Sequence, residues 1–351
     1  MDTRVTLWGI SRRRLKALII MGVIAVFAVA VLYQAFVKSK SSSSSESLTS
    51  AVFPDSKSGW IVGSDGLILH TDDAGASWRR QNSGTTKHLS SVAFIDSQRG
   101  WVVGEDGIIL HTDDGGKNWL SQESGVPYWL LSVAFNSRDI GWAVGVRATI
   151  LHTENGGQSW SDESKSKEAP PDFLPTLSSV TFPDSDSGWA VGKDGTILHF
   201  GDSNRKWKPQ PNYAPRSPLW IFKGWGNEGD WLSSVSFPEP NVGAVVGDSG
   251  TILHTMNAGK AWALQDSGTR KQLRAVRFLT QGIGWAVGES GTILYTEDGG
   301  QVWAAQQSRT TEDLRAVAFS SLQSGWVVGA HSTVLHTDDG GKTWSIQHLV
   351  P

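Results

Sequence analysis

The chain has 351 residues, 39% of them hydrophobic, which is ample for a large core, and it contains no cysteine, so a disulfide framework and a lipid-modified N-terminal cysteine are both excluded. The net charge of −3 hides an asymmetry: residues 1–47 carry seven Lys/Arg against two Asp/Glu, which leaves about −8 on residues 48–351. An acidic globular part speaks against nucleic acid as a partner.

Taken in chain order, residues 1–16 form a basic N-terminus with Arg12, Arg13, Arg14 and Lys16. Residues 17–37 ("ALIIMGVIAVFAVAVLYQAFV") are almost wholly apolar and long enough to span a bilayer as a helix. The positive excess on the N-terminal side predicts a cytoplasmic N-terminus, with the rest of the chain on the periplasmic, lumenal or extracytoplasmic side. A cleaved signal peptide is the rival reading, because "AVA" at 28–30 resembles a cleavage site, but the apolar run continues past it. Residues 38–47 are a Ser-rich tether. Nine extended residues of it reach about 30 Å.

The remainder, 48–351, is a repeat. Gly-Trp recurs at Gly59-Trp60, Gly100-Trp101, Gly141-Trp142, Gly188-Trp189, Gly284-Trp285 and Gly325-Trp326, with Gly243-Ala244 as a seventh copy. A second Trp follows 19 residues after each of these glycines, at Trp78, Trp119, Trp160, Trp207, Trp262, Trp303 and Trp344. Start-to-start spacings are 41, 41, 47, 55, 41 and 41, so all length variation lies between copies. Each copy reads as four short strands, exemplified by "LSSVAF", "GWVVG", "GIILHT" and "NWLSQ". The "DG" or "SG" pair between the second and third predicts a type I′ hairpin. No segment of the repeats shows a sustained 3.6-residue apolar period. Seven such units predict an all-β, seven-bladed β-propeller of four-stranded blades, because stacking in a ring buries faces that one blade leaves open.

The segment Thr112-x-Asp114-x-Gly116-x-x-Trp119 and its siblings fit the Asp-box, usually written Ser/Thr-x-Asp-x-Gly-x-x-Trp; the fourth copy, Phe200/Asp202/Asn204/Trp207, is degraded. The longer unit "LRAVAF…GWVVG…TVLHTDDGGKTW" resembles the photosystem II stability and assembly factor family, which has relatives in non-photosynthetic bacteria. The resemblance covers residues 48 to about 344. It implies a non-enzymatic propeller that binds a protein client, and an arginine-rich patch in contact with a reaction-centre protein under assembly. Arg274 and Arg315 are the two arginines in the "LRAV" position of this chain; Thr49, Ser90, Leu131, Ser178 and Ser233 hold it elsewhere.

Several motifs invite chemistry. His70, His111, His152, His199, His254 and His336 share one repeat position, with Tyr295 in the seventh copy. Equivalent positions are spread around a ring and do not converge on one ion, so packing is the expected role. The acidic pairs, such as Asp113-Asp114, fall in the Asp-box turn, where one acid forms the turn; calcium is the alternative. A sialidase-like or other glycan-directed propeller is the enzyme to weigh. That chemistry needs converging arginines and a Tyr nucleophile, and only Tyr128 and Tyr213 lie outside the membrane segment and the repeat positions. No phosphate loop or metal-spaced cluster stands out. No catalytic residue, metal or cofactor is therefore expected.

Function is sought where the repeat breaks. Insertions lie at 164–176 and 212–230. Four of the 18 tryptophans, Trp129, Trp220, Trp225 and Trp231, lie in or beside connections between blades. Two hairpins lack Gly, at Arg147-Ala148 and His331-Ser332. Arg274 and Arg315 stand at strand starts, with Arg270 and Lys271 nearby. Blade connections and hairpins share one face of a propeller, opposite the Asp-box turns. Aromatics beside arginines predict a protein-binding surface there, held close to the membrane by the tether.

Overall fold

The structure, a computed structural model, describes residues 46–164, 175–201, 206–210 and 231–349. The expected membrane span, most of the tether, Trp220, Trp225 and Tyr213 lie outside them. Among the described residues no helix is long and apolar enough to cross a membrane.

Among the described residues, twenty-eight strands form seven four-stranded antiparallel sheets, each built from consecutive strands. Blade 2 is typical. It runs β5 (Leu89–Phe94), β6 (Gly100–Gly104), β7 (Ile109–Thr112) and β8 (Leu120–Gln122). The first strand is innermost, and the seven innermost strands neighbour one another around the axis. Because every sheet uses only its own strands, the ring closes without strand exchange: β1 (Leu48–Val52) packs directly on β25 (Leu314–Phe319) and β26 (Gly325–Gly329).

The blades are joined by one aromatic device. Trp60 is fully buried and stacks on Phe94 of the next blade with centroids 3.7 Å apart, while His70, its cross-strand neighbour, covers the other face at 4.5 Å. Trp119 meets the edge of Phe94 at 6.0 Å and 86°. The Trp–Phe stack recurs at 3.5 Å for Trp101–Phe135, 3.9 Å for Trp142–Phe182, 4.8 Å for Trp189–Phe237 and 3.9 Å for Trp285–Phe319. Trp326–Phe53, at 3.9 Å, closes the ring. Offset stacks and edge contacts of this kind add to the stabilisation from area burial alone. The shared histidine position is therefore a ring in a stack, as expected, and Tyr295 takes the same place on Trp285.

Blade 5 departs from this scheme. Ala244 leaves Phe278 without a stacking Trp, and the site is roomier: a Cβ on Gly300 would lie 3.3 Å from its nearest neighbour, Phe278, where Trp189 would be 2.0 Å from one on the equivalent Gly259. His254 is the most deeply buried of these histidines resolved by exposure, at 4%, and its Nε2 has no hydrogen-bond partner.

The Thr-x-Asp/Asn-x-Gly turns are self-contained. Thr71 Oγ1 donates to Asp73 Oδ1 at 2.7 Å and accepts from Gly75 N at 2.9 Å, while Asp73 Oδ1 accepts from Ser77 N at 2.9 Å. The same set recurs at Thr112/Asp114, Thr153/Asn155, Thr255/Asn257, Thr296/Asp298 and Thr337/Asp339. These hydrogen bonds stabilise the carboxylate and hold Asp73 down to about pKa 2, with Ser77 the largest cause.

All seven hairpins carry two left-handed residues, as the type I′ reading requires. In blade 2 they are Asp106 (φ 53°) and Gly107 (φ 69°), and a Cβ on Gly107 would sit 2.0 Å from the carbonyl oxygen of Val126. Glycine is needed there because the Ser-Gly loop leading to the next blade presses on it.

Replacing Trp101 with Ala should cost about 3–5 kcal/mol in denaturant unfolding, the range for a buried aromatic. A loss below about 1 kcal/mol would mean that the stack is not what couples the blades.

Candidate functional site

The innermost strands place three repeat positions around the axis: the residue just before the first Leu, the residue just after it, and the fourth after it. In five blades the second residue after the Leu is Ser, and its hydroxyl accepts from the next blade. Val92 N reaches Ser50 Oγ at 3.3 Å, Val133 N reaches Ser91 at 3.3 Å, Val180 N reaches Ser132 at 3.2 Å, Val235 N reaches Ser179 at 3.3 Å and Val276 N reaches Ser234 at 3.2 Å. In blades 6 and 7 this residue is Ala275 or Ala316, so the belt stops there. Those same blades carry Arg274 and Arg315.

Both arginines reach forward to the next blade. Arg274 donates to Glu289 Oε1 at 3.1 Å and to Asp313 Oδ2 at 3.4 Å. Arg315 donates to Ser47 Oγ, at the point where the chain enters blade 1. The Nε atoms of both are shielded from solvent and have no hydrogen-bond partner. Burial, and then the positive charge of Arg274, pull the Arg315 pKa down. Burial and Arg315 likewise push His88 down, so its imidazole is neutral at pH 7. The arginines remain charged.

Two tryptophans stand just before the first Leu of blades 3 and 5. Trp129 reaches back to the previous blade, its Nε1 donating to Ser90 Oγ at 2.7 Å, and His88 meets it edge-on at 5.4 Å. Trp231 makes the equivalent bond to Ser178 Oγ. Both indoles stay open to solvent, at 38% and 37% exposure. The hairpin-face ends of the innermost strands thus carry two exposed indoles and two partly buried guanidiniums, and His88 touches Trp129 and feels the charge of Arg315.

Of the residues singled out in the sequence, Trp129, Trp231, Arg274 and Arg315 each stand directly beside the first Leu of an innermost strand, in blades 3, 5, 6 and 7. Arg270 and Lys271 lie exposed on the adjoining connection, with Lys271 Nζ donating to Ser290 O at 3.3 Å. Arg147 is engaged elsewhere, its guanidinium 4.9 Å above the Tyr128 ring. The two glycine-free hairpins also have a local explanation. Blades 1, 2, 5 and 6 need Gly because a connecting loop presses on the hairpin, with its carbonyl about where a Cβ would be: Gly66, Gly107, Gly250 and Gly291 would each put a Cβ 1.9–2.1 Å from it. Blade 3 leads into the insertion, and blade 7 faces the entering chain. There Ala148 N donates to Pro175 O at 2.7 Å and Ser332 N to Glu46 O at 2.8 Å.

Sequence reading missed Arg277. It sits at the fourth position after Leu273, where the other blades have Val52, Ala93, Ala134, Thr181, Ser236 and Ala318. Comparison down that column was the available signal.

A seven-bladed propeller with a mixed aromatic and cationic channel mouth defines the class of protein. The family model for photosynthesis system II assembly factor YCF48 matches residues 37–125, 120–221, 226–304 and 260–351, and the chain belongs to that family. No curated protein matches its sequence. Among solved structures it is similar to YCF48 bound to D1 peptide (TM-score 0.66, 19% identity, 84% of this chain and 92% of that one). It is similar too to YCF48 from Cyanidioschyzon merolae (0.67, 22%, 84% and 96%). A GH74 xyloglucanase from Xanthomonas campestris shares the fold (0.67, 12%, 85% and 52%).

Two outcomes follow. Gly107→Ala should destabilise by more than about 1 kcal/mol, whereas Ser332→Gly should be neutral or stabilising, since it relieves a left-handed non-Gly residue; equal effects in thermal melts would contradict the loop explanation. Burial lowers the pKa of His70, His111, His254 and His336 in the folded chain. The unfolded chain takes up these protons near pH 6.5 and the folded one only lower, so stability should fall as pH drops from about 7 to 5. His336→Tyr, which copies Tyr295, should make that fall shallower; an unchanged slope would remove the histidines from the account.

Proposed function

We propose that this chain is a membrane-anchored, non-catalytic propeller that holds a photosystem II protein client at its hairpin-face channel mouth. The observation that carries the reading is the pair of arginines, Arg274 and Arg315, at the starts of adjacent innermost strands where the other blades have Thr, Ser or Leu, on the same propeller face as the solvent-open indoles of Trp129 and Trp231. Indole and guanidinium groups are also the side chains in which protein contacts concentrate binding energy. Family membership supplies the class of client, and one solved relative is YCF48 bound to D1 peptide.

Anchoring rests on the sequence: the apolar run 17–37, with Arg12, Arg13, Arg14 and Lys16 before it, orients the propeller to the extracytoplasmic side. Ser47 enters blade 1 on the hairpin face, its carbonyl accepting from Ser64 N at 3.0 Å. The tether therefore leaves from the same face as the mouth. A glycan-directed reading has the exposed Trp129 and Trp231 in its favour, as surfaces on which a sugar could stack. Tyr128, the nucleophile such chemistry would use, is covered by Arg147.

Full-length protein in detergent, titrated with overlapping synthetic D1 peptides, should bind one of them. Arg274→Gln and Arg315→Gln should each weaken that binding at least about tenfold, as expected for a desolvated hot-spot contact. Unchanged affinity in folded variants would move the site elsewhere. Saturable binding of an oligosaccharide, lost in Trp129→Ala, would favour the glycan reading.

A further inference from the structure

The boundary between blades 3 and 4 departs from a side-chain bridge that other boundaries share. Three residues after the second Trp, six of the seven copies have a Gln. Gln81 Oε1 accepts from Trp119 Nε1 of the next blade at 3.1 Å, and its Nε2 donates to Gly115 O at 2.9 Å. Gln122 makes the same two bonds with Trp160 and Gly156, and Gln306 accepts from Trp344 at 3.0 Å. In blade 3 the residue is Glu163. A carboxylate cannot donate to a carbonyl, and Glu163 turns to its own blade, where its Oε1 meets His152 Nδ1 at 3.1 Å. Across the boundary, Phe200 stands where other blades have the Thr whose hydroxyl organises the Asp-box turn.

A pocket of about 490 Å³ opens here beside the Asp-box turn of blade 3, with Glu154, Glu163, His152 and, from blade 4, Phe200 in its lining. Its neutral polar groups are engaged: Asn155 Nδ2 donates to Ser159 Oγ at 2.9 Å, and Ser161 Oγ to His152 O at 3.1 Å. Its carboxylates keep free acceptors. Glu154 makes no ion pair or hydrogen bond among the described residues, and of Glu163 only Oε1 is engaged.

The sibling blades show what the Glu154 position holds. In blade 1 the acid is Asp72, paired with Arg79; in blade 2 it is Asp113, paired with Arg99. Blade 3 has Ser161 in the place of Arg79 and Ile140 in the place of Arg99, so Glu154 has no such partner. Blades 6 and 7 lack the arginine too, but there a neutral Gln306 or Gln347 stands where blade 3 adds Glu163. Among the described residues no Lys or Arg lines the pocket, and no three His, Asp or Glu are grouped to hold a metal ion.

We propose that this pocket binds the guanidinium group of a ligand, with Glu154 and Glu163 as its carboxylate partners. A planar guanidinium pairs with carboxylates through parallel hydrogen bonds and lies well against an aromatic wall such as Phe200. The group comes either from an arginine side chain of a partner protein or from a free small guanidino compound. The site lies at the Asp-box turn, away from Arg274 and Arg315, and stands whether or not the hairpin face binds a photosystem client.

Calorimetric titration of full-length protein in detergent with methylguanidinium chloride tests this. Binding should be saturable, and methylurea, the neutral analogue, should not bind. Glu163→Gln restores the residue of the other blades and should weaken binding at least about tenfold, the loss expected when a charge-assisted hydrogen bond is removed. Glu154→Gln, at an exposed turn, should do the same without touching the His152 contact. Asp338→Asn, at the equivalent turn of blade 7, should change nothing. A tripeptide with a central Arg, blocked at both ends, should bind more tightly than methylguanidinium if the ligand is protein-borne; equal or weaker binding assigns the site to a free guanidino compound. Absence of saturable binding, equal binding of methylurea, unchanged affinity in folded Glu154→Gln, or an equal loss in Asp338→Asn would each overturn the proposal.

Discussion

The stack of a tryptophan from one blade on a phenylalanine from the next is the contact on which the ring depends. Six of seven boundaries have it, including the one between Trp326 and Phe53 that joins the last blade to the first. No strand is exchanged and no disulfide is available, so closure rests on this packing together with the hydrogen bonds that Glu46 and Ser47 make to Ser332, Arg315 and Ser64. Blade 5 lacks the tryptophan, and its boundary with blade 6 is packed by Val246, Ile252, Val276 and Phe278 instead. One weakened boundary in seven is tolerable where neighbouring interfaces contribute separately.

Because the aromatic stacks couple the blades, the innermost-strand positions carry fewer structural constraints. The serine belt shows the residual constraint: five hydroxyls tie adjacent innermost strands, and the chain relinquishes them only in blades 6 and 7. The arginines of the mouth stand beside that gap. Arg274 is bound to Asp313, and Arg315 to Ser47, so the cationic side of the mouth is itself a clamp across the blade 6–7 and 7–1 boundaries. Ser47, where the described chain enters blade 1, thus rests against one of the arginines of the candidate site.

Most of the fold was legible in the sequence because the repeat spacing is constant and each strand, turn and aromatic recurs. The histidines could be read as packing groups for the same reason: one residue type in six equivalent places is a framework signal. The site was legible only in part. Trp129, Trp231, Arg274 and Arg315 break the repeat beside the axis, and the mouth contains them. Arg147 and His331 break it as well, yet there the reason lies in the connecting loop, which has no glycine-demanding carbonyl in blades 3 and 7. That distinction depends on a contact between segments some 20 residues apart in other blades, such as Gly107 with Val126, and no local pattern reveals it.

Site-specific photocrosslinking in membranes tests the central claim most directly. A photoreactive residue at Leu131, in the mouth, and another at Lys342, on the Asp-box face, report which surface meets the client. The account predicts a crosslinked membrane protein from position 131 and none from position 342. A crosslink from Lys342 with none from Leu131 would place the client on the opposite face and contradict it.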